Sequence, residues 1–330
     1  MKKRSLTGIK PTGEAHLGNY LGMLKPALEL QSSYECYYFI ADLHALTTER
    51  DPKAIESQTL DIAAMWIAFG LDYNQHILWR QSDLPVVTEL SWYLNCVTGV
   101  GLHQKSHAYK DAIDKGDDPN MGLFNYPALM AADILLFDSD VVPVGKDQKQ
   151  HVEFTRDMAG SFNAIYGEEV LKLPEPLIRE EVMIIPGTDG QKMSKRYGNI
   201  IPLFTPEKAL RKKVLGITTD SSEMDDPKEI NDTLFGQYFS LFASKDQYRD
   251  LRDRMLEGGL GWGHAKDELF QLINDQLKEP RERFNELRTD EDALWKILDQ
   301  GTQKAFATAE PIINRVRKAV GNRAYGFGLK

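Results

Sequence analysis

Hydrophobic and polar positions along the chain change period once, near Pro206. In the first part, short apolar runs alternate with helical spacing. Residues 4–9 read as a strand entering a glycine turn, and Leu21, Leu24, Leu28 and Leu30 recur at helical intervals over 19–31. The run 34–41 is almost continuously apolar, as expected of a strand buried on both faces. A helix is predicted over 52–69, starting at Pro52, then a strand over 76–80. Further strands are expected at 140–144 and 181–185. Strand, helix and strand in succession imply right-handed crossovers and a parallel sheet. After Pro206 the segments 207–216, 226–244, 246–257, 264–278, 280–299 and 301–320 all carry the helical period, with no convincing strand. The expected architecture is α/β: a doubly wound parallel-sheet domain over 1–205 and an all-helical domain over 206–330, with the last helix able to return to the first domain.

Composition changes this picture little. With 330 residues, 42% hydrophobic and 27% charged, the chain has room for one large domain and a smaller one. The basic start, Met1-Lys2-Lys3-Arg4, precedes no long apolar run, so neither a secretion signal nor a membrane span is expected, and a cytoplasmic location is. Cys36 and Cys96 each lie in an apolar segment and read as buried free thiols of a reducing compartment, with no disulfide framework and no structural metal site. The net charge of −9 argues against broad nucleic-acid affinity but allows local basic surfaces. Two clusters qualify: Arg315, Arg317, Lys318, Arg323 and Lys330, and Arg211, Lys212 and Lys213. A solvated helix face is the plain alternative for both.

Two segments carry candidate chemistry. Pro11-Thr12-Gly13-Glu14-Ala15-His16-Leu17-Gly18-Asn19 joins the first strand to the first helix. Free N–H groups at such a junction favour an anion, Gly18 removes the side chain where a nucleotide must approach, and His16 and Asn19 can donate to phosphate oxygens. It lacks the Gly-x-x-x-x-Gly-Lys pattern of a P-loop. Downstream, Lys192-Met193-Ser194-Lys195-Arg196 follows Gly187 and Gly190. A mobile cationic loop of this kind can stabilise charge building on a departing pyrophosphate. Alone, each segment also fits an ordinary turn.

A third segment is chemically unusual. Residues 125–135 read as a helix begun near Pro127, on which Tyr126, Met130 and Asp133 share a face at i, i+4 and i+7. A carboxylate in so apolar a helix is costly unless it is bonded to a partner or a ligand.

Taken together, the His16-Leu17-Gly18-Asn19 turn and the Lys192-Met193-Ser194-Lys195 loop resemble the two defining motifs of class I aminoacyl-tRNA synthetases. Arg196 stands where that family usually has serine, and Asn19 where the first motif usually ends in histidine; asparagine there is common in the tryptophan and tyrosine branch. The helix carrying Asp133, followed by 142–151, is similar to the tryptophanyl-tRNA synthetases, and the resemblance extends over essentially the full length. It implies a Rossmann-like catalytic domain that binds ATP and tryptophan, and a helical domain that reads the tRNA anticodon.

By that resemblance, His16, Asn19, Lys192 and Lys195 are catalytic. ATP contacts fall on Lys10, Pro11, Thr12, Gly18, Asn19, Gly145, Lys146, Asp147, Val182, Met183, Lys192, Met193, Ser194, Lys195 and Arg196. Asp133 takes the indole N–H, Tyr126 and Gln148 hold the ammonium group, Met130, Val142 and Val144 line the ring, and His44 sits nearby. The resemblance further implies L-tryptophan and tRNA(Trp) as partners, a homodimer, and Mg²⁺ held through the ATP phosphates with no protein metal site. Three rivals stand beside this reading. A tyrosyl-tRNA synthetase typically has glutamine in place of Met130. A small-molecule adenylate-forming ligase would not need the helical segment after residue 206. A catalytically silent RNA-binding relative would not need His16, Lys192 and Lys195.

Overall fold

The computed structural model describes residues 2–145, 149–167, 169–178 and 185–323. The expected strand at 181–185, with Val182 and Met183, falls almost entirely outside them, as do Lys146, Asp147, Gln148 and Lys330. Among the described residues, five parallel strands form the sheet: β1 (Arg4–Ile9), β2 (Glu35–Ile40), β3 (Ile77–Arg80), β4 (Val141–Val144) and β5 (Glu175–Ile178), in the order β3-β2-β1-β4-β5. Reversal of strand order on either side of β1 is the doubly wound arrangement, and its ligands gather beyond the carboxyl ends of the strands. The sequence did not announce β5, because Pro176 interrupts a run of four residues; at this edge of the sheet proline costs no ladder bond.

Strand β2 shows why the sheet is covered on both faces. Tyr38 points to one side, against Trp66 at 4.5 Å, while Tyr37 and Phe39 point to the other, against Trp79 and, for Tyr37, Phe137. All three are nearly inaccessible. The helix Pro52–Ala68 starts where expected, with the Asp51 carboxylate accepting from the Lys53 N–H.

By contacts the chain forms two compact units, and their limits differ from a division at residue 205. One unit comprises Met1–Gly13, Ala27–Val182 and Asp290–Lys330; the other comprises Glu14–Pro26 and Met183–Thr289. The last helix, Glu291–Ala319, belongs to the sheet's unit for a packing reason. Its Ala305, Ala309, Ile313 and Val316 complete the core, Thr308 bonds the Tyr37 hydroxyl at 3.1 Å, and Gly301 lies against the Leu78 carbonyl. A Cβ at residue 301 would stand 1.7 Å from that oxygen.

Several helix limits differ from the sequence pattern. The helix begins at Leu234, capped by Thr233, because Pro227 and the positive φ of Asp232 (59°) keep 226–233 irregular. The helices Trp262–Arg288 and Glu291–Ala319 run through Pro280 and Pro311, and the break falls at Asp290, whose carboxylate caps the next helix through the Ala293 N–H. Likewise Met121–Leu135 starts at an Asn120 cap and carries Pro127 inside it. The segment after the first turn is helical over 17–32 but contains a wider π turn at Tyr20–Leu24. Cys36 is buried as expected; Cys96 is exposed, on the solvent side of the helix Val86–Val97, so its apolar neighbours do not cover it.

Candidate active site

Within the unit built on 183–289, the two motifs stand together. The Ile201 carbonyl accepts from the Leu17 N–H at 2.9 Å, and the Ala15 carbonyl accepts from the Leu203 N–H at 3.0 Å, so His16 pairs with Pro202. The Asn19 side-chain oxygen accepts from the His16 N–H at 3.1 Å and closes the turn. A Cβ on Gly18 would lie 3.0 Å from the His16 ring and 3.5 Å from the Met193 sulfur. Glycine thus lets the turn and the loop pack in contact. Burial, helped by the Lys195 charge, lowers the His16 pKa to about 4, so His16 is neutral at physiological pH.

The loop's pattern has a simple logic. Met193 is buried and anchors it, while Lys192, Lys195 and Arg196 are exposed. The Ser194 hydroxyl caps the short turn Lys195–Tyr197, and Gly198 ends it with a left-handed φ of 66°. Arg196 reaches this turn through its backbone, its N–H donating to the Ser194 hydroxyl. Desolvation lowers the Lys195 pKa.

Asn199, which sequence reasoning passed over, organises the loop. Its oxygen accepts from the Ser194 N–H at 2.8 Å, and its amide nitrogen donates to the Asp189 carboxylate at 2.8 Å and the Lys192 carbonyl at 3.1 Å. Only 3% of Asn199 is exposed, and a Cβ on Gly187 would fall 2.1 Å from its nitrogen. The Tyr238 hydroxyl donates to the Pro186 carbonyl at the base of the loop. The one sequence signal was the Gly198-Asn199 pair, separated from the cationic run by Tyr197 alone.

Within the sheet's unit, a second cluster forms at the carboxyl ends of β2 and β3. His44 lies on the short helix Asp42–Ala45 after β2, Gln81 follows β3, and Asp133 faces both from the helix Met121–Leu135. Asp133 is 3% exposed. Its Oδ2 lies 3.0 Å from His44 Nε2, and the Gln81 amide nitrogen is 2.8 Å from both carboxylate oxygens. Burial raises the Asp133 pKa, and the bonds from His44 and Gln81 oppose that rise. Gln81 is therefore a second residue that the sequence pattern missed; its place just beyond a strand end was the available signal.

The other expected residues that the structure describes lie in the sheet's unit. Tyr126 stands edge-on to the His44 ring, 6.2 Å between centroids, and to His151 at 5.6 Å; its hydroxyl is 2.9 Å from that of buried Ser106. Met130 and Val144 pack half-buried on the core, and Val142 is buried within it. Lys10, Pro11 and Thr12 follow β1; desolvation lowers the Lys10 pKa, and its ammonium lies 3.5 Å from the Thr47 hydroxyl. Gly145 ends β4. The five remaining expected residues, Lys146, Asp147, Gln148, Val182 and Met183, are those outside the described set.

Neither basic cluster is a plain cationic surface. Buried Arg317 pairs with Glu89, and Arg315 pairs with Asp138 at 2.6 Å. Arg211 makes a two-pronged contact with Asp267, and Lys213 donates to the Gly198 carbonyl at 3.4 Å. Among the described residues, no group of three or more His, Cys, Asp or Glu side chains is arranged to hold a metal ion, and no helix is long and apolar enough to cross a membrane.

Comparison with known proteins agrees with this geometry. The family model described as tRNA synthetases class I (W and Y) matches residues 2–278. The tryptophan--tRNA ligase of Fusobacterium nucleatum is 46% identical over 97% of this chain and 98% of its own length. That of Pseudomonas aeruginosa is 45% identical over the whole of this chain and 76% of its own. Among solved structures, the tryptophanyl-tRNA synthetase of Campylobacter jejuni complexed with ADP and tryptophan superposes with a TM-score of 0.91, at 42% identity, covering 96% of this chain and 99% of that one. The joined motifs, the doubly wound sheet and full-length relatives on both counts make one conclusion: the chain belongs to the class I tRNA synthetases of the tryptophan and tyrosine branch.

Proposed function

We propose that this chain attaches L-tryptophan to tRNA(Trp) at the expense of ATP, through a tryptophanyl-adenylate, releasing pyrophosphate and AMP. The carrying observation is the buried Asp133 carboxylate, held by His44 and Gln81 in apolar surroundings. An indole N–H donates and cannot accept, so a site selective for tryptophan needs such an acceptor. The full-length relatives named as tryptophan--tRNA ligases support the same substrate.

In this reading the tryptophan carboxylate attacks the α-phosphorus of ATP in line; the bond to the bridging oxygen breaks and pyrophosphate leaves with its electron pair. A ribose hydroxyl of the terminal tRNA adenosine then takes the acyl group, and AMP departs. No enzyme nucleophile is needed, and catalysis is positioning and charge stabilisation. His16, neutral at physiological pH, acts as a hydrogen-bond donor to phosphate. Asn19 spends its oxygen on the His16 N–H, which leaves its amide nitrogen to donate. Lys192 and Lys195 oppose charge on the leaving group, with Ser194 and Arg196 shaping their turn. Gly18, Met193, Lys10, Pro11, Thr12, Gly145, Lys146, Asp147, Val182 and Met183 complete the ATP site. Tyr126 and Gln148 take the ammonium group, and Met130, Val142 and Val144 the ring. The donors of the turn and loop suit phosphates that bring their own Mg²⁺, which would neutralise part of their charge.

The segment after residue 206 would read the anticodon, although the last helix serves the sheet's unit. A homodimer and a cytoplasmic location complete the proposal. Amino-acid-dependent exchange of labelled pyrophosphate into ATP tests it. Exchange with tryptophan and not tyrosine is expected; the reverse, or exchange with no amino acid, overturns it. Asp133→Asn should raise the tryptophan KM and weaken discrimination against phenylalanine, and unchanged values would remove the indole role from Asp133.

A further inference from the structure

Gln81 holds Asp133, and its own side chain is closely constrained. It is 1% exposed. Its oxygen accepts from the Leu43 N–H at 3.1 Å, which settles which end of the amide is nitrogen. That nitrogen is 2.8 Å from each oxygen of Asp133, on the bisector of the carboxylate. The turn that carries it is braced on both sides. The Ser82 N–H donates to Asp42 at 3.0 Å, and the Arg80 guanidinium donates to Asp83 while stacking on the Trp295 ring at 4.9 Å. Gln81 thus has no rotational freedom to lend to Asp133.

The two oxygens of Asp133 differ in consequence. Among the described residues, Oδ2 receives both His44 and Gln81, and Oδ1 receives Gln81 alone. A carboxylate has about four acceptor positions, and the one that no described residue fills lies on Oδ1. We propose that Gln81 is a positioning and specificity-determining residue, which locks the rotation of the Asp133 carboxylate so that Oδ1 presents one acceptor to an indole N–H. The inference rests on tryptophan being the substrate. It places selectivity in a residue that need not touch the amino acid. Without the Gln81 donor, Asp133 keeps only the His44 contact. It can then rotate, and burial favours its taking a proton, which converts the acceptor into a donor.

The test is pyrophosphate exchange with tryptophan and with 3-benzothienylalanine, in which sulfur replaces the indole N–H. Gln81→Met keeps the volume and removes both polar ends. The ratio of kcat/KM for the two amino acids should fall about tenfold to a hundredfold. The fall should come from a higher KM for tryptophan, with its kcat held within about threefold. A general packing defect would depress both substrates alike and leave the ratio in place; that outcome overturns the inference. If Gln81→Met does not fold, as judged by its thermal transition, Gln81→Asn withdraws the donor by one methylene. Its ratio must then fall by an intermediate amount, and an unchanged ratio again overturns the proposal. Absence of tryptophan-dependent exchange in the unaltered protein would instead sink the substrate assignment, and this inference with it.

Discussion

Asn199→Ala should slow adenylate formation while sparing tryptophan binding. The substitution removes three hydrogen bonds of 2.8, 2.8 and 3.1 Å that join Asp189, Lys192 and Ser194. Each is worth about 0.5–1.5 kcal/mol net, and water can replace part of each at a loop with exposed neighbours. A loss of about 2 kcal/mol in the loop's working conformation corresponds to a fall of about 30-fold in the rate. Gly187→Ala should act on the same side chain from the other direction, because its Cβ would overlap the Asn199 amide at 2.1 and 2.3 Å. Driving Asn199 out forfeits the same bonds, so a similar fall of about 30-fold is expected. Combined, the two substitutions should cost little more than either alone, since one set of bonds is lost once. Single-turnover adenylate formation at saturating tryptophan measures the rate, and calorimetric titration measures tryptophan affinity. Rates that multiply to about a thousandfold loss in the double variant would refute the shared mechanism. A loss confined to tryptophan affinity would refute the assignment of Asn199 to the loop.

Three other outcomes are expected. Lys195→Ala should slow adenylate formation by about a hundredfold while calorimetric tryptophan affinity stays within a factor of about two; a pure loss of tryptophan affinity would contradict its place on the leaving group. His16 has its folded pKa lowered to about 4 by burial and Lys195, so between its unfolded value of 6.5 and about 4 the unfolded chain binds the extra proton. The His16 contribution to stability is therefore whole above pH 6.5 and declines as pH falls towards 4; urea unfolding of His16→Gln should show a shallower decline across that window, and an equal slope would count against it. Gly301→Ala, whose Cβ would meet the Leu78 carbonyl at 1.7 Å, should destabilise the sheet's unit by about 1–3 kcal/mol, read as a lower melting temperature.

Much of this molecule was legible in one dimension. The parallel sheet followed from β1, β2 and β3, whose apolar runs and intervening helical period leave few alternatives. The His16 turn and the Lys192 loop were legible only as a pair, since each alone also fits an ordinary turn, and the helix with Asp133 stood out because a carboxylate is costly among apolar residues. Strand β5 was not visible, because Pro176 looks like a strand breaker until one knows that the segment lies at an edge. The helix limits at Thr233 and Asp290 were also hidden, since a proline within a long packed helix and a capping aspartate compete locally, and packing decides between them.

Gln81 and Asn199 show the same division at the level of chemistry. Each is a neutral amide of common type, marked along the chain only weakly: Gln81 by its place after a strand end, and Asn199 by the glycine before it. Gln81 acquires meaning only because the fold brings the end of β3 opposite the helix Met121–Leu135, where its nitrogen meets both oxygens of Asp133, 52 residues away. Asn199 acquires it because the chain folds back past Gly187. The sequence by itself determined which chemical groups were present, their local periods and the family to which they point. Only the tertiary structure decided which neutral groups orient the charged ones, because a hydrogen bond is short and directional, and its partners are chosen by distance in space rather than by order along the chain.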